Sequence, residues 1–308
     1  MNRDQYWPAI PFAEWSDTAA TLHMWTQIVG KIRMVQSPWL NHAWHVTLYV
    51  APRGMTTGTI PHGNLTFSID FDFIDHQLVI RTCEGEVVRL PLKPQDTADF
   101  YGAVMYSLEK LGIPVSINTT PNEVEEAIPF DEDRKHSAYD ADAANRFWRV
   151  LYQVDRIFSA FRAGFQGKAS PSHFFWGSFD LAVTRFSGSP APDHPGGLPN
   201  MPLWVAQEAC SHEVSSAGFW PGSDAAPEPI FYSYAYPTPD GFADAAVSPA
   251  AATWSSDLGE FVLPYEAVRT ADDPDGELMA FLQSTFDVAA SLGEWDLAAH
   301  QRRHFPGR

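Results

Sequence analysis

Twice along this chain the same order recurs: an amphipathic helical stripe, a Ser-Pro step, period-two runs, a Gly-Glu turn, a Leu-Pro step, and a second helical stripe closed by Leu-Gly. The matched steps are Ser37-Pro38 with Ser170-Pro171, Gly85-Glu86 with Gly259-Glu260, Leu90-Pro91 with Leu263-Pro264, and Leu111-Gly112 with Leu292-Gly293. Clustered strands bracketed by helices, with no strand-helix-strand alternation, specify an α+β protein. We expect two related antiparallel sheets, each flanked by helices, from an internal duplication.

The local signals fill in this frame. Trp15, Ala19, Leu22, Val29 and Ile32 recur at helical spacing up to Pro38. From Trp44 the period changes to two, with Trp44, Val46, Leu48 and Val50 on one face. Runs at 65–73, 77–83 and 86–90, joined by tight turns, suggest a meander. A helix from Asp96 or Thr97 ends at Gly112, and 114–117 is a candidate short strand. Asp140 caps a helix carrying Phe147, Leu151, Val154, Phe158, Phe161 and Phe165, and Asp273-Pro274 starts a last one. Residues 1–117 form a first unit, 118–139 an acidic, solvated linker, 140–295 a second unit with an inserted loop at about 187–229, and 296–308 a tail.

Charge restricts the partners. Against 38 Asp and Glu there are 20 Lys and Arg, a net −18, which repels phosphate backbones and anionic membranes alike. No run reaches the roughly 18 apolar residues of a membrane helix, so the expected compartment is the cytoplasm. Cys83 and Cys210 lie far apart, and nothing pairs them.

Candidate chemistry concentrates in 170–222. Glu208 and His212, four apart on an expected helix, would share a face and grip a divalent metal, or would form a surface pair. Asp180, beside Ser178 and Thr184 on one face of a strand, is a general base or a structural acceptor. His173 and His194 complete the candidate catalytic set, while Trp176, Phe219 and Trp220 would line a ligand pocket or pin a loop. His42 and His45, three apart, would point to opposite faces of an extended strand and could not share a metal there, an objection that weakens if a turn places His42 before the strand begins. Cys210 beside a histidine is a candidate nucleophile with no supporting motif.

Three stretches carry a family resemblance: Pro38-Trp-Leu-Asn-His-Ala-Trp-His-Val46, Ser172-His-Phe-Phe-Trp-Gly-Ser-Phe-Asp-Leu-Ala-Val-Thr-Arg-Phe-Ser-Gly188, and Ser211-His-Glu-Val-Ser-Ser-Ala-Gly-Phe-Trp-Pro-Gly222. In these the chain resembles the bacterial domain-of-unknown-function family 5996, from Trp7 to about Trp295, with Ser189 where an Arg is expected. The resemblance implies no particular activity, cofactor or catalytic residue. Two readings therefore stand: a small-molecule enzyme, hydrolase-like or metal-dependent, with a cleft built by 173–220, or a non-catalytic module whose aromatic pocket receives a ligand or a protein.

Overall fold

A computed structural model describes residues 3–300. In chain order it contains α1 (Arg3–Tyr6), α2 (Ser16–Gln36), β1 (Tyr49–Ala51), β2 (Gly54–Thr56), β3 (Ile60–His62), β4 (Leu65–Asp72), β5 (Gln77–Thr82), β6 (Val87–Pro91), α3 (Thr97–Lys110) and α4 (Ala141–Ala163). The second half adds β7 (His173–Phe175), β8 (Asp180–Pro190), α5 (Leu203–Ala209), β9 (His212–Trp220), β10 (Ile230–Tyr236), β11 (Thr253–Ser255), β12 (Glu260–Pro264), α6 (Tyr265–Thr270), α7 (Pro274–Leu292) and α8 (Leu297–His300). The architecture is α+β, as expected from the pattern.

Two six-stranded antiparallel sheets result. The first runs β1-β2-β4-β5-β6 with β3 paired to β4, and the second runs β11-β12-β10-β9-β8-β7. Their registers follow the same course. In the first sheet Val50, Met55, Phe71, Leu78 and Leu90 face one another across successive strands. In the second the corresponding row is Phe174, Leu181, Phe219, Phe231 and Leu263. Each row ends on a leucine followed by a proline. The two sheets meet at one antiparallel bridge, where Leu48 and Phe174 exchange both backbone hydrogen bonds at 2.9 Å.

Both rows belong to the core, and helices cover them. The α4 stripe, Phe147, Leu151, Val154, Phe158 and Phe161, is buried, as are Leu278, Phe281, Leu282 and Phe286 of α7. α2 is buried almost throughout because α3, α4 and β3 pack around it. There Trp25 stacks on Phe100 with centroids 4.4 Å apart, and each such side chain contributes about 1.5–3 kcal/mol of burial. Gly30 of α2 faces the Trp176 indole, whose Nε1 donates to the Val46 carbonyl at 2.7 Å. No helix among the described residues is long and apolar enough to cross a membrane.

Four sequence expectations change. The strand read from Trp44 begins at Tyr49, because the amides of Trp44 and Val46 close turns onto Asn41 and Ala43. His42 and Ala43 take φ of 59° and 56° there, so the apparent alternation of 44–48 is a turn that happens to alternate. No strand forms at 114–117. The acidic stretch is not solvated throughout, since Phe130 and Asp133 are fully buried and Lys31 of α2 donates to the Thr120 carbonyl. Finally β9, inside the stretch read as a loop, pairs with both β8 and β10. Its run Val214-Ser-Ser-Ala-Gly-Phe-Trp220 lacks the polar-apolar alternation of a half-exposed strand.

Candidate functional site

Strand alternation sends one set of side chains of the second sheet toward α4 and α7 and the other set outward. The outward set is Asp180, Ala182 and Thr184 on β8, Ser216 and Gly218 on β9, Tyr232, Tyr234 and Tyr236 on β10, and Glu260 on β12. A solvated face would carry Lys and Glu; this one carries hydroxyls, carboxyls and a small-residue gap.

Gly218 makes the central contact. Any side chain there would overlap the Tyr232 ring, which lies flat across β9 and reaches β8. Its hydroxyl donates to Asp180 Oδ2, while the Ser178 hydroxyl donates to Oδ1. Asp180 is thus 5% exposed but held by two donors. Beside it Thr184 and Ser216 share a hydrogen bond of 2.9 Å, and Tyr234 engages Ser216.

A second carboxyl comes from the acidic stretch. Glu123 sits at φ 58°, a left-handed conformation that costs a non-glycine residue of order 1–3 kcal/mol. Its amide donates to the Pro199 carbonyl at 2.8 Å, and Asn122 is held by Gln27 of α2 and by the Asn200 carbonyl. This anchoring places the Glu123 carboxylate on Gly177, where a Cβ would overlap Oε1.

Burial governs the protonation of the cluster. Burial, and then the Asp180 charge, push the Glu123 and Glu260 carboxyls up to about 7. Asp180 is itself raised by burial, against the lowering effect of Ser178 and Tyr232. The Tyr232 phenol is raised well above its ordinary value by burial and then by Asp180, so it remains a donor. Replacing Tyr232 with Phe removes one of the two donors to the buried Asp180 carboxyl. The expected cost is about 1.5–3 kcal/mol, with Asp180 titrating still higher, measured by denaturant unfolding and carboxyl NMR.

The residues expected from sequence are dispersed. Asp180 is central. His173 is 1% exposed, ringed by Trp44, Tyr49 and Phe175, and its pKa falls to about 3 through burial and then through Arg33 and Arg162. His194 accepts from the Gly196 amide and packs on Tyr236. Trp176 is committed to the α2 contact, and Phe219 points to the core against Phe231 and Tyr265. Trp220, two residues beyond Gly218, lies on the outward face opposite Ile230.

The metal pair does not form. α5 ends at Ala209 and His212 opens β9, so the two never share a helical face. Glu208 instead accepts from Trp39 Nε1 at 2.6 Å, and His212 Nδ1 pairs with Ser211. Among the described residues no three His, Cys, Asp or Glu are grouped to hold a metal ion. Burial raises the Cys210 thiol to about 11, which leaves it protonated and a poor nucleophile at neutral pH. His42 and His45 lie in the turn before β1, His42 donating from Nδ1 toward the Glu208 and Ala209 carbonyls, His45 under Trp39.

Sequence reading missed Glu123, Tyr232 and Glu260. The available signal was the outward row Tyr232, Tyr234, Tyr236, three aromatics where a solvated strand would be charged. A second was missed too: no Lys or Arg occurs between Arg185 and Arg269, whereas Asp193, Glu208, Glu213, Asp224, Glu228, Asp240, Asp244, Asp257, Glu260 and Glu266 do. Two concavities lie elsewhere. One of about 450 Å³ sits between the starts of α2 and α4, and its Asp140 is already spent capping α4. The other, about 250 Å³, opens between Tyr236 and Trp295.

The model of a family of unknown function, DUF5996, matches residues 7–302. Neither the curated proteins nor the solved structures contain a match to the chain.

Proposed function

We propose that the chain, which belongs to the DUF5996 family, is an enzyme that works on a small basic molecule at the outward face of its second sheet. The observation that carries this reading is the pair of carboxyls poised near 7, Glu123 and Glu260, flanking a buried aspartate fixed by Ser178 and Tyr232. At neutral pH such carboxyls both donate and accept protons, the property general acid–base catalysis requires. Negative charge on Asp180 disfavours ionisation of both. The uninterrupted acidic stretch from 186 to 268 favours a positively charged ligand.

The common register of the two sheets supports an internal duplication and, with it, specialisation of one copy. Aligning Leu90-Pro91 with Leu263-Pro264 sets the outward row Thr56, Asp70, Val79 and Arg89 against Ala182, Gly218, Tyr232 and Val262. The first copy carries a surface ion pair, Arg81 with Asp70. The second carries the hydroxyl-carboxyl cluster. Free Cys83 and Cys210 fit a reducing, cytoplasmic setting.

Carboxyl NMR titration tests the proposal. Glu123 and Glu260 should titrate near 7, both should move down in Asp180→Asn, and small amines and amino alcohols should shift the same resonances. Titration of both at their ordinary 4.5, with no amine response, would remove its basis.

A further inference from the structure

A second feature lies outside the carboxyl cluster, where segment 38–45 meets α5. Trp39 and Trp204 are 45% and 53% exposed, with ring centroids 5.0 Å apart. Leu40 and Leu203, also about half exposed, come from the same two segments. Exposed aromatic and apolar groups gathered this way mark interaction surfaces. The Trp39 indole is not loose, since it lies on the His45 ring at 4.3 Å and donates to Glu208 Oε1 at 2.6 Å.

The charge around the rings chooses the occupant. Glu208 has no cation on it among the described residues, and its carboxylate sits at the edge of the indole pair. Lys168, a nearby cation, is turned onto His42 Nε2 and the rings of Trp44 and Phe186. Glu208 itself belongs to the stretch between Arg185 and Arg269 that contains ten acidic residues and no Lys or Arg. Tryptophan faces beside an uncompensated carboxylate attract a guanidinium by cation–π and Coulomb terms together. A second copy of the chain, also at −18, is disfavoured by repulsion.

We propose that Trp39, Trp204 and Glu208 form a docking site for an arginine side chain presented by a basic, leucine-containing segment of a partner protein. The leucines of the segment would meet Leu40 and Leu203. The surface is separate from the carboxyl cluster and does not depend on it.

The test is fluorescence anisotropy of a fluorescein-labelled peptide with arginines spaced by leucines, against the same peptide with citrulline at every arginine. The arginine peptide should bind, and the citrulline peptide should be weaker by roughly tenfold or more. Trp204→Ala and Glu208→Gln should each weaken the arginine peptide by roughly tenfold while the melting temperature holds, because Trp204 is exposed and the glutamine oxygen still accepts from Trp39 Nε1. Asp180→Asn should leave binding unchanged, which separates this site from the carboxyl cluster. Equal binding of the two peptides, or equal binding by wild type and Trp204→Ala, overturns the proposal; the second result would mean attraction by net charge alone. A dimer in sedimentation that Trp204→Ala dissolves would overturn it in favour of self-association.

Discussion

Replacing both Glu123 and Glu260 with Gln is expected to stabilise the protein at pH 8 and to leave it unchanged at pH 4.5. Each carboxyl is raised from 4.5 to about 7 in the fold. A raised carboxyl favours folding fully below its unfolded value and loses that contribution as pH climbs through the folded one. Above 7 the wild type therefore carries two ionised groups in a setting that disfavours them, and glutamine does not. At 1.36 kcal/mol per unit, discounted because both are partly exposed, the gain is about 2–4 kcal/mol together. Buried His23 and His173 are shifted down, to about 4 and about 3, so their contribution is full above 6.5 and falls on acidification. They are present in both proteins and cancel in the difference. Denaturant unfolding at the two pH values measures it, and equal stability at pH 8 would mean the carboxyls ionise freely. A stabilising loss of polar groups is the usual mark of a site kept for function.

Gly30→Ala is expected to destabilise the protein by about 2 kcal/mol, although alanine is the better helix former. In an open helix the exchange gains about 1 kcal/mol. Here the new methyl overlaps the Trp176 indole. The ring has no room to retreat, because its nitrogen is bonded to Val46 and it is 5% exposed. Overpacking of this kind costs about 1–3 kcal/mol, and overlap with three ring atoms puts it at the upper end, which leaves a net loss of about 2 kcal/mol after the propensity gain. In a Trp176→Leu background the same change should cost much less, a coupling that a double-mutant cycle reads directly.

The fold was largely legible because its decisive signals are local. The stripes of α2, α3, α4 and α7, the caps Asp96, Asp140 and Asp273, and the hairpin runs of 65–90 each follow from spacing over a few residues. β9 was not, since its register is imposed by β8 and β10 on either side, a long-range cause that leaves no period in its own residues. The site divides the same way. Asp180 stood out as a carboxyl in mid-strand, whereas Glu123 became part of the site through a left-handed turn held by Pro199 and α2. Glu208 and His212 misled because helical spacing was assumed across a helix that stops between them.

The seam at Leu48 and Phe174 leaves the inner border of each sheet dependent on the other half of the chain. Parted from one another, those borders would offer bare amides and carbonyls on which any extended segment could add. Being tethered, they meet at an effective concentration on the order of millimolar, which a stray molecule seldom reaches. Continuity of the polypeptide between the halves is thus a safeguard against aggregation as well as a connection.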